Sequence, residues 1–280
     1  MKHNRQGSWV PGRIHRKKPA CSELQVYDEL SRKDPGTLLA RTAVLAGRIL
    51  LESGAETGRT EDTMSRICQA GGAVVTDSYV TPGMLMISFT WHGQMIHNMK
   101  RVSLSGTDLG RIQQVNALSR QLQSGEITLE DCYRSLCRIQ EEPGASVFRM
   151  VLGAALAGAG FALVFGGSLP ESAAAAFSAA LCAFLLESLD FCTPSLRTLL
   201  GSSLITLAGV AAGALFGIRA NMVILAALMI LVPGMLFTTA LRDCIAGDTL
   251  SGQARLSMAI LSAAAIALGN IGTLLILEAL

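Results

Sequence analysis

The chain has 280 residues, half of them hydrophobic, and a formal net charge of +2. A net charge this close to zero argues against a general nucleic-acid-binding protein, which needs a strongly basic surface. Residues 1–146 hold 18 of the 23 lysines and arginines, and residues 147–280 hold only 5. The first part therefore has the composition of a water-soluble domain, whereas the second part is nearly free of charge.

The N-terminal segment, residues 1–36, is predicted to be a disordered basic arm. It lacks the apolar stretch of a signal peptide, and its composition favours a solvated tail. The seven cysteines show no zinc-ligand spacing. An odd number of cysteines without a secretory signal indicates reduced thiols in the cytosol. We expect no metal and no other cofactor, because dinucleotide-binding and P-loop fingerprints are also missing from the sequence.

Residues 37–142 predict a cytoplasmic α+β domain. Hydrophobic residues recur at helical spacing over 38–50, and Ser53-Gly54 ends this first helix. A second helix is predicted to begin at Thr60, as its N-cap, and to end at Ala70. Three strands, which include a hairpin turned at His92-Gly93, and two further helices follow at 73–80, 84–93, 94–103, 108–123 and 128–140.

Residues 147–280 predict an all-α bundle of about five transmembrane helices, because a run of about 20 apolar residues spans a bilayer as a helix. The five apolar segments are 148–168, 172–189, 198–218, 222–241 and 256–277. The fold class is thus a membrane protein in which a soluble α+β domain precedes a transmembrane helical domain.

Arginines in the short loops predict that the N-terminal domain faces the cytoplasm. With that orientation the inside loops carry Arg197, Arg242 and Arg255, and the outside loops carry only Arg219. This distribution agrees with the positive-inside rule. We therefore expect a multi-pass protein of the inner (plasma) membrane, with its C-terminus outside.

The third apolar segment contains Gly209, Gly213 and Gly217, each four residues from the next. Glycines at this spacing form a groove in which a second helix can approach closely. Two interpretations stay open: the groove packs against a helix of the same chain, or it forms an interface between subunits of an oligomer.

The fourth apolar segment is interrupted by Pro233-Gly234. Proline removes a helical hydrogen bond, and freed backbone groups at membrane depth occur only where protein or a watery cavity satisfies them. Transporters use such broken helices to bind substrates. We therefore predict a substrate path or gate built from residues near the break and charged residues at span ends: Pro233, Gly234, Thr238, Thr239, Arg242, Asp243, Asp248, Arg255, Glu187 and Asp190.

The soluble part contains one dense polar stretch, Glu52 to Thr63. Its carboxylates could serve acid–base catalysis, but its composition favours a connection between two helices. His92 and His97 lie in predicted strands and have no partner motif. Because the sequence also has no G-x-S-x-G and no H-E-x-x-H, we predict no catalytic residues and no enzyme activity.

Four stretches together resemble the threonine/serine exporter family. They are SGAETGRTEDTMSRI (53–67), VTPGMLMIS (80–88), GFALVFGG (160–167) and LVPGMLFTTALRDCIAGDTLSGQAR (231–255). The resemblance implies a cytoplasmic N-terminal domain, a five-helix membrane half, and export of small polar metabolites driven by the proton gradient or the membrane potential. Threonine and serine are the named substrates, and split members are linked to dicarboxylates such as succinate. It also singles out Glu56, Arg59 and Glu61, without giving them a role.

The longest members of that family continue into a second membrane block, whereas this chain ends at Leu280. The expected partners are therefore a separate small membrane subunit, the lipid bilayer and a small-molecule substrate, in an oligomer that binds no nucleic acid. Two alternative functions remain. A membrane-anchored hydrolase needs a nucleophile–base pair within 37–142, and a metabolite-sensing scaffold needs a ligand site in the soluble domain.

Overall fold

A computed structural model describes residues 34–103, 106–187, 189 and 192–279, so the predicted basic arm lies almost wholly outside the described residues. The chain divides into two compact units. The α+β unit contains the described residues up to Pro143 together with Gly234–Ala259, and the helical unit contains Gly144–Pro233 together with the residues from Ile260 onward. Gly234–Ala259, which the sequence analysis assigned to the 147–280 domain, are thus grouped with the α+β residues.

The α+β unit begins with two helices, a three-stranded sheet and two further helices. Their bounds are α1 Pro35–Glu52, α2 Thr57–Ala70, β1 Val74–Thr81, β2 Met84–Trp91, β3 Gln94–Arg101, α3 Leu109–Gln123 and α4 Leu129–Glu141. The unit is completed by α9, Gly234–Ala246, and by the first residues of α10, Thr249–Ala279.

Helix α1 lies at the centre of the α+β unit. Thirteen of its 18 residues are buried, which is typical of a helix that is covered on all sides. The sheet is an antiparallel meander in the order β1-β2-β3. Alternate residues of β2, Leu85, Ile87 and Phe89, are buried in the same core, as the two-residue period of a strand requires when one face packs against helices.

The β2–β3 hairpin turns where the sequence predicted. His92 and Gly93 both have positive φ, at 46° and 77°. Two consecutive residues with positive φ are characteristic of the type I′ turn, whose twist matches that of the flanking strands. The register is therefore set with Trp91 opposite Gln94.

Helix α2 begins at Thr57, three residues before the predicted start at Thr60. Helices α1, α3 and α4 are each capped by the side chain of the residue just before them, namely Asp34, Asp108 and Thr128. The residue before α2 is Glu56, and its side chain makes no such bond. The sequence rule that a capping residue precedes the helix therefore fails at α2, because another part of the chain supplies the cap.

The helical unit contains four helices of its own and most of α10. The bounds are α5 Val147–Val164, α6 Leu169–Glu187, α7 Pro194–Phe216 and α8 Ala220–Leu228. Among the described residues, four helices are long and apolar enough to cross a membrane: α5, α6, α7 and α10. These agree with four of the five predicted segments.

The fourth predicted segment, 222–241, is not one continuous helix. Helix α8 ends at Leu228 and α9 begins at Gly234. Pro233 has no N–H to donate, and its ring disfavours helical backbone at the preceding residue. The prediction of a single fourth span is therefore replaced by two shorter helices separated by a break.

Helix α8 has nine residues and is about 14 Å long, less than half of the roughly 30 Å hydrocarbon core. Its residues Val223, Ile224, Ala226, Ala227 and Leu228 are buried. A short buried helix suits the rule that irregular backbone at membrane depth is surrounded by protein.

The glycine groove of α7 faces α8. A Cβ placed on Gly213 would lie 2.9 Å from the Cβ of Ala220, and one on Gly209 would collide with the side chain of Ile224. The backbones can approach this closely only because both glycines lack a side chain. At these two positions the groove therefore packs against a helix of the same chain.

Candidate functional site

The cap of α2 comes from Asp243, 186 residues away in sequence. Its Oδ1 accepts a hydrogen bond from the backbone N–H of Thr57 at 3.2 Å. Its Oδ2 accepts one from the Thr57 hydroxyl at 3.0 Å. A carboxylate at this position satisfies an orphan N–H and complements the positive end of the helix dipole. Asp243, which the sequence predicted as a gate residue, thus fixes where α2 begins.

Asp243 also forms an ion pair with Arg255, whose Nε lies 3.0 Å from its Oδ2. Both side chains are only 2% exposed. The N–H of Nε does not point at the carboxylate, so this contact is electrostatic rather than an aligned hydrogen bond. Nη2 of Arg255 donates to the carbonyl oxygen of Ala55 at 2.7 Å. Asp243 therefore binds Thr57, just after Glu56, and Arg255 binds Ala55, just before it.

Arg242 and Glu56 add a second ion pair on the exposed side of Asp243. The Arg242 side chain is 69% exposed and that of Glu56 is 20% exposed, so this pair is far better solvated than the first and contributes less to stability. We call Glu56, Thr57, Arg242, Asp243 and Arg255 the charge cluster. It joins the start of α2 to helices α9 and α10 within the α+β unit.

Asp248 and Ser251 continue these contacts beyond the charge cluster. A Cβ placed on Gly58 would lie 3.9 Å from Oδ2 of Asp248, so this carboxylate faces the first turn of α2. The hydroxyl of Ser251 donates to the carbonyl of Val80 at 3.3 Å. The N–H of Val80 in turn donates to Oε1 of Glu61 at 2.8 Å. Three of the four stretches that resemble the exporter family, 53–67, 80–88 and 231–255, therefore meet here.

Burial raises the pKa of Glu61 above its ordinary value of 4.5. The neighbouring carboxylates of Asp248, Asp62 and Asp243 raise the pKa further, whereas the Val80 N–H lowers it. A carboxyl group in this environment holds its proton to a higher pH than an exposed one.

We expect Glu61→Gln to stabilise the protein at neutral pH and to have little effect near pH 4. Because the pKa is raised on folding, the stability contributed by wild-type Glu61 is present below 4.5 and is lost as pH rises through the folded-state pKa. Glutamine keeps the acceptor for Val80 and never ionises. Melting temperatures of both proteins between pH 4 and 8 measure the effect. Asp77→Asn, exposed on β1, is the control, and a pH-independent difference between wild type and Glu61→Gln would contradict the assignment.

A small cavity of about 100 Å³ lies beside the charge cluster. Pockets for drug-sized ligands are several times larger, so this one suits only a small metabolite. Its polar lining consists of Glu56, Arg59, Asn116 and Thr239, and its apolar lining includes Leu50, Leu109, Ile112 and Met235. One carboxylate and one guanidinium therefore face a space that is otherwise mainly hydrophobic.

The remaining predicted residues lie in several places. Pro233 and Gly234 mark the start of α9, and Glu187 is the last residue of α6. Asp190 lies outside the described residues. The hydroxyls of Thr238 and Thr239 donate to carbonyls one turn earlier in α9, at 2.8 to 3.1 Å. Of these two threonines only Thr239 lines the cavity.

Sequence reasoning did not identify Thr57, Asn116 or Glu171. Thr57 and Asn116 carry neutral side chains without a motif, so no local signal points to them. Glu171 is 3% exposed and pairs with Arg219 in the helical unit, with Nε of the arginine 2.7 Å from Oε1. The sequence did offer a signal for that pair: Glu171 lies at the edge of an apolar segment, and Arg219 is a single arginine in a later loop.

A family model described as "Putative threonine/serine exporter" matches residues 41–277. A Mycobacterium tuberculosis protein described as "Probable threonine/serine exporter" is 24% identical to the chain over 226 residues. That alignment covers 79% of this chain and 43% of the relative, so the chain spans less than half of the relative's length. No solved structure matches the chain. The matched residues include both units and the whole charge cluster, and the chain belongs to the threonine/serine exporter family.

Proposed function

We propose that the chain is a subunit of an inner-membrane exporter of small polar metabolites, and that the cavity is where the substrate first binds from the cytoplasm. The observation that carries this proposal is the lining of the cavity. Glu56 and Arg59 contribute charges of both signs, and Met235 and Thr239 come from α9, directly after the Pro233-Gly234 break. Family membership and four apolar helices support export across a membrane.

The charges of the cavity favour a small amino acid over a dicarboxylate. Arg59 can bind an α-carboxylate, and Glu56 can bind an α-ammonium group. Oε1 of Glu56 is paired with Arg242, and Oε2 forms no hydrogen bond with the described residues. If Arg59 binds one carboxylate of succinate, the other carboxylate faces Glu56, and these two negative charges repel each other. Threonine and serine are therefore the proposed substrates, and succinate is the less favourable alternative.

The proposed energy source is the proton gradient, with Glu61 as the carboxylate that takes up the proton. A zwitterion has no net charge, so the membrane potential does no work on it directly. An inward-moving proton carries charge and thus couples export to both the pH difference and the potential. The raised pKa of Glu61 lets this carboxyl group take up a proton at a higher pH than an exposed glutamate does, which suits a proton-exchanging group. This scheme requires the α+β unit to face the cytoplasm, as the arginine distribution predicts.

A further membrane block completes the proposed exporter. The relative from Mycobacterium tuberculosis is more than twice as long as its aligned part, and we propose that the corresponding function is supplied here by a separate small membrane subunit. Co-purification of the tagged chain with the product of a neighbouring reading frame tests this assignment. A chain that transports alone in liposomes would contradict it.

We expect Arg59→Gln to raise the KM for threonine efflux by about 10- to 100-fold, which corresponds to the loss of one charge-assisted hydrogen bond. The assay is counterflow of labelled L-threonine, L-serine and succinate in proteoliposomes that contain the chain and its partner. Arg66→Gln, on the same helix but outside the cavity lining, is the matched control. Equal loss in both variants, or tighter binding of succinate than of threonine, would contradict the proposed substrate site.

The cavity also keeps a sensing function open, because it lies within the α+β unit. A sensor would bind L-threonine in the purified full chain, yet proteoliposomes with the partner would show no transport. A hydrolase finds less support, because the residues that line the cavity include no histidine or cysteine to serve as a base or thiol nucleophile.

A further inference from the structure

Two polar side chains meet near the middle of the helical unit. Thr206 is fully buried and lies halfway along α7, about 18 Å from its first residue and about 15 Å from its last. Asn270 lies about 14 Å before the end of α10. Because the hydrocarbon core is about 30 Å thick, both residues fall close to the bilayer midplane when these helices span it. We call Thr206 and Asn270 the midplane pair.

The midplane pair leaves part of an amide group without a partner. The Thr206 hydroxyl lies 3.0 Å from Oδ1 of Asn270 and 2.8 Å from the carbonyl oxygen of Ser202. A hydroxyl has one proton, so it donates to one of these oxygens only. If it donates to Asn270, the amide N–H groups of Asn270 form no hydrogen bond with the described residues. If it donates to Ser202 and the amide is turned over, the N–H group bonds to Thr206 and the amide oxygen is left instead.

Ser202 and Ser203 of α7 lie beside Gly269 of α10, the residue just before Asn270. The Ser203 hydroxyl donates to the carbonyl of Gly269 at 3.1 Å. A Cβ on Gly269 would collide with Ser202 and with the backbone of α7. Ile205 and Ile266 belong to the apolar cluster of the same unit. Polar side chains of α7 and α10 therefore meet at this level of the helical unit.

We propose that the midplane pair binds the side-chain hydroxyl of the transported solute during its passage through the membrane. This inference rests on the proposed export of a hydroxyl-bearing amino acid. An amide and a hydroxyl can exchange donors and acceptors with such a group, and both are uncharged, so they compensate no net charge on the solute. Substrates of transporters are commonly bound near the midplane, and a site that bonds a substrate hydroxyl discriminates against an analogue without it.

The experiment compares L-threonine with L-valine, which has the same shape but a methyl group in place of the hydroxyl. Counterflow in proteoliposomes gives KM and kcat for both solutes with wild type, Asn270→Leu and Thr206→Val. We expect each variant to raise the KM for threonine about 5- to 10-fold and to leave the KM for valine unchanged. The preference for threonine over valine therefore falls by the same factor. Thr206→Ser keeps the hydroxyl, so this variant retains the wild-type preference for threonine over valine.

Thr273→Val is the matched control, because the Thr273 hydroxyl donates to Gly269 of its own helix at 2.7 Å. If the midplane pair only holds α7 and α10 together, the KM values for threonine and valine change alike, and that result overturns the inference. Asn270→Leu can also weaken folding, so Thr206→Val and Thr206→Ser provide the same comparison independently. If wild type transports neither solute, the proposed function fails. Threonine-dependent melting shifts of wild type and Thr206→Val then test the pair, and equal shifts overturn it.

Discussion

Replacing Asp243 by alanine is expected to lower the free energy of unfolding by about 3–5 kcal/mol, because it leaves Arg255 buried without its counter-ion. The substitution also removes both hydrogen bonds that cap α2 at Thr57, and the loss of a cap alone costs about 1 kcal/mol. Denaturant unfolding of the purified full chain, followed by a signal from the α+β unit, measures the change. Asp62, an exposed residue of α2, provides the control. Asp62→Ala should change the free energy of unfolding by less than about 0.5 kcal/mol.

The double variant Asp243→Ala with Arg255→Met separates the ion pair from the cap. Removing both charges abolishes the unpaired guanidinium, so the double variant should be more stable than Asp243→Ala alone. A double variant that is destabilised by the sum of the two single-variant losses would show that the two charges do not act as a pair.

Normal export by Asp243→Asn and Asp248→Asn would show that these carboxylates take no part in gating.

Substituting alanine for Gly252 is expected to destabilise the protein by about 1–3 kcal/mol through overpacking. A Cβ at this position would lie 2.9 Å from both the carbonyl oxygen of Ala240 and the backbone nitrogen of Cys244, and would also collide with the Cys244 sulfur. Backbone atoms cannot move aside without shifting α9 against α10. The charge cluster depends on that geometry, so export should fall together with the melting temperature.

Gly272→Ala is the matched control for Gly252→Ala, since a Cβ on Gly272 meets nothing within 4 Å. Both glycines belong to α10, and alanine is favoured over glycine in a helix by about 1 kcal/mol. We therefore expect Gly272→Ala to keep or raise the melting temperature. Equal destabilisation by the two variants would mean that α10 tolerates no side chain at either position. Overpacking at Gly252 would then not explain the effect.

The elements that follow from local patterns were predicted well. The hairpin at His92-Gly93, the helices on either side of Ser124-Gly125 and four of the five apolar segments all depend on residues that are near one another in sequence. The break at Pro233-Gly234 was also predicted, because proline acts on its own backbone and on the preceding residue. The family match confirms the resemblance that the four sequence stretches indicated.

The partners within the charge cluster could not be predicted in the same way. Arg242, Asp243 and Arg255 were identified as charged residues at a span end, but their partners Glu56, Thr57 and Ala55 lie 186 to 200 residues earlier. Helix α2 was predicted to start too late for the same reason. A local search for a capping side chain cannot find one that is brought in by tertiary structure.

The cap of α2 has a consequence for biosynthesis. The residues of the α+β unit up to Pro143 are made first, but Asp243 and Arg255 of the same unit leave the ribosome about 200 residues after Ala55. At a usual elongation rate of roughly 5–20 residues per second, the start of α2 waits about 10 to 40 seconds for its carboxylate. During that interval the residues of α5 to α8 are synthesised, and α2 lacks the carboxylate that caps it. A chaperone that protects nascent chains therefore has a defined period in which to bind, and truncation before Asp243 would prolong it indefinitely.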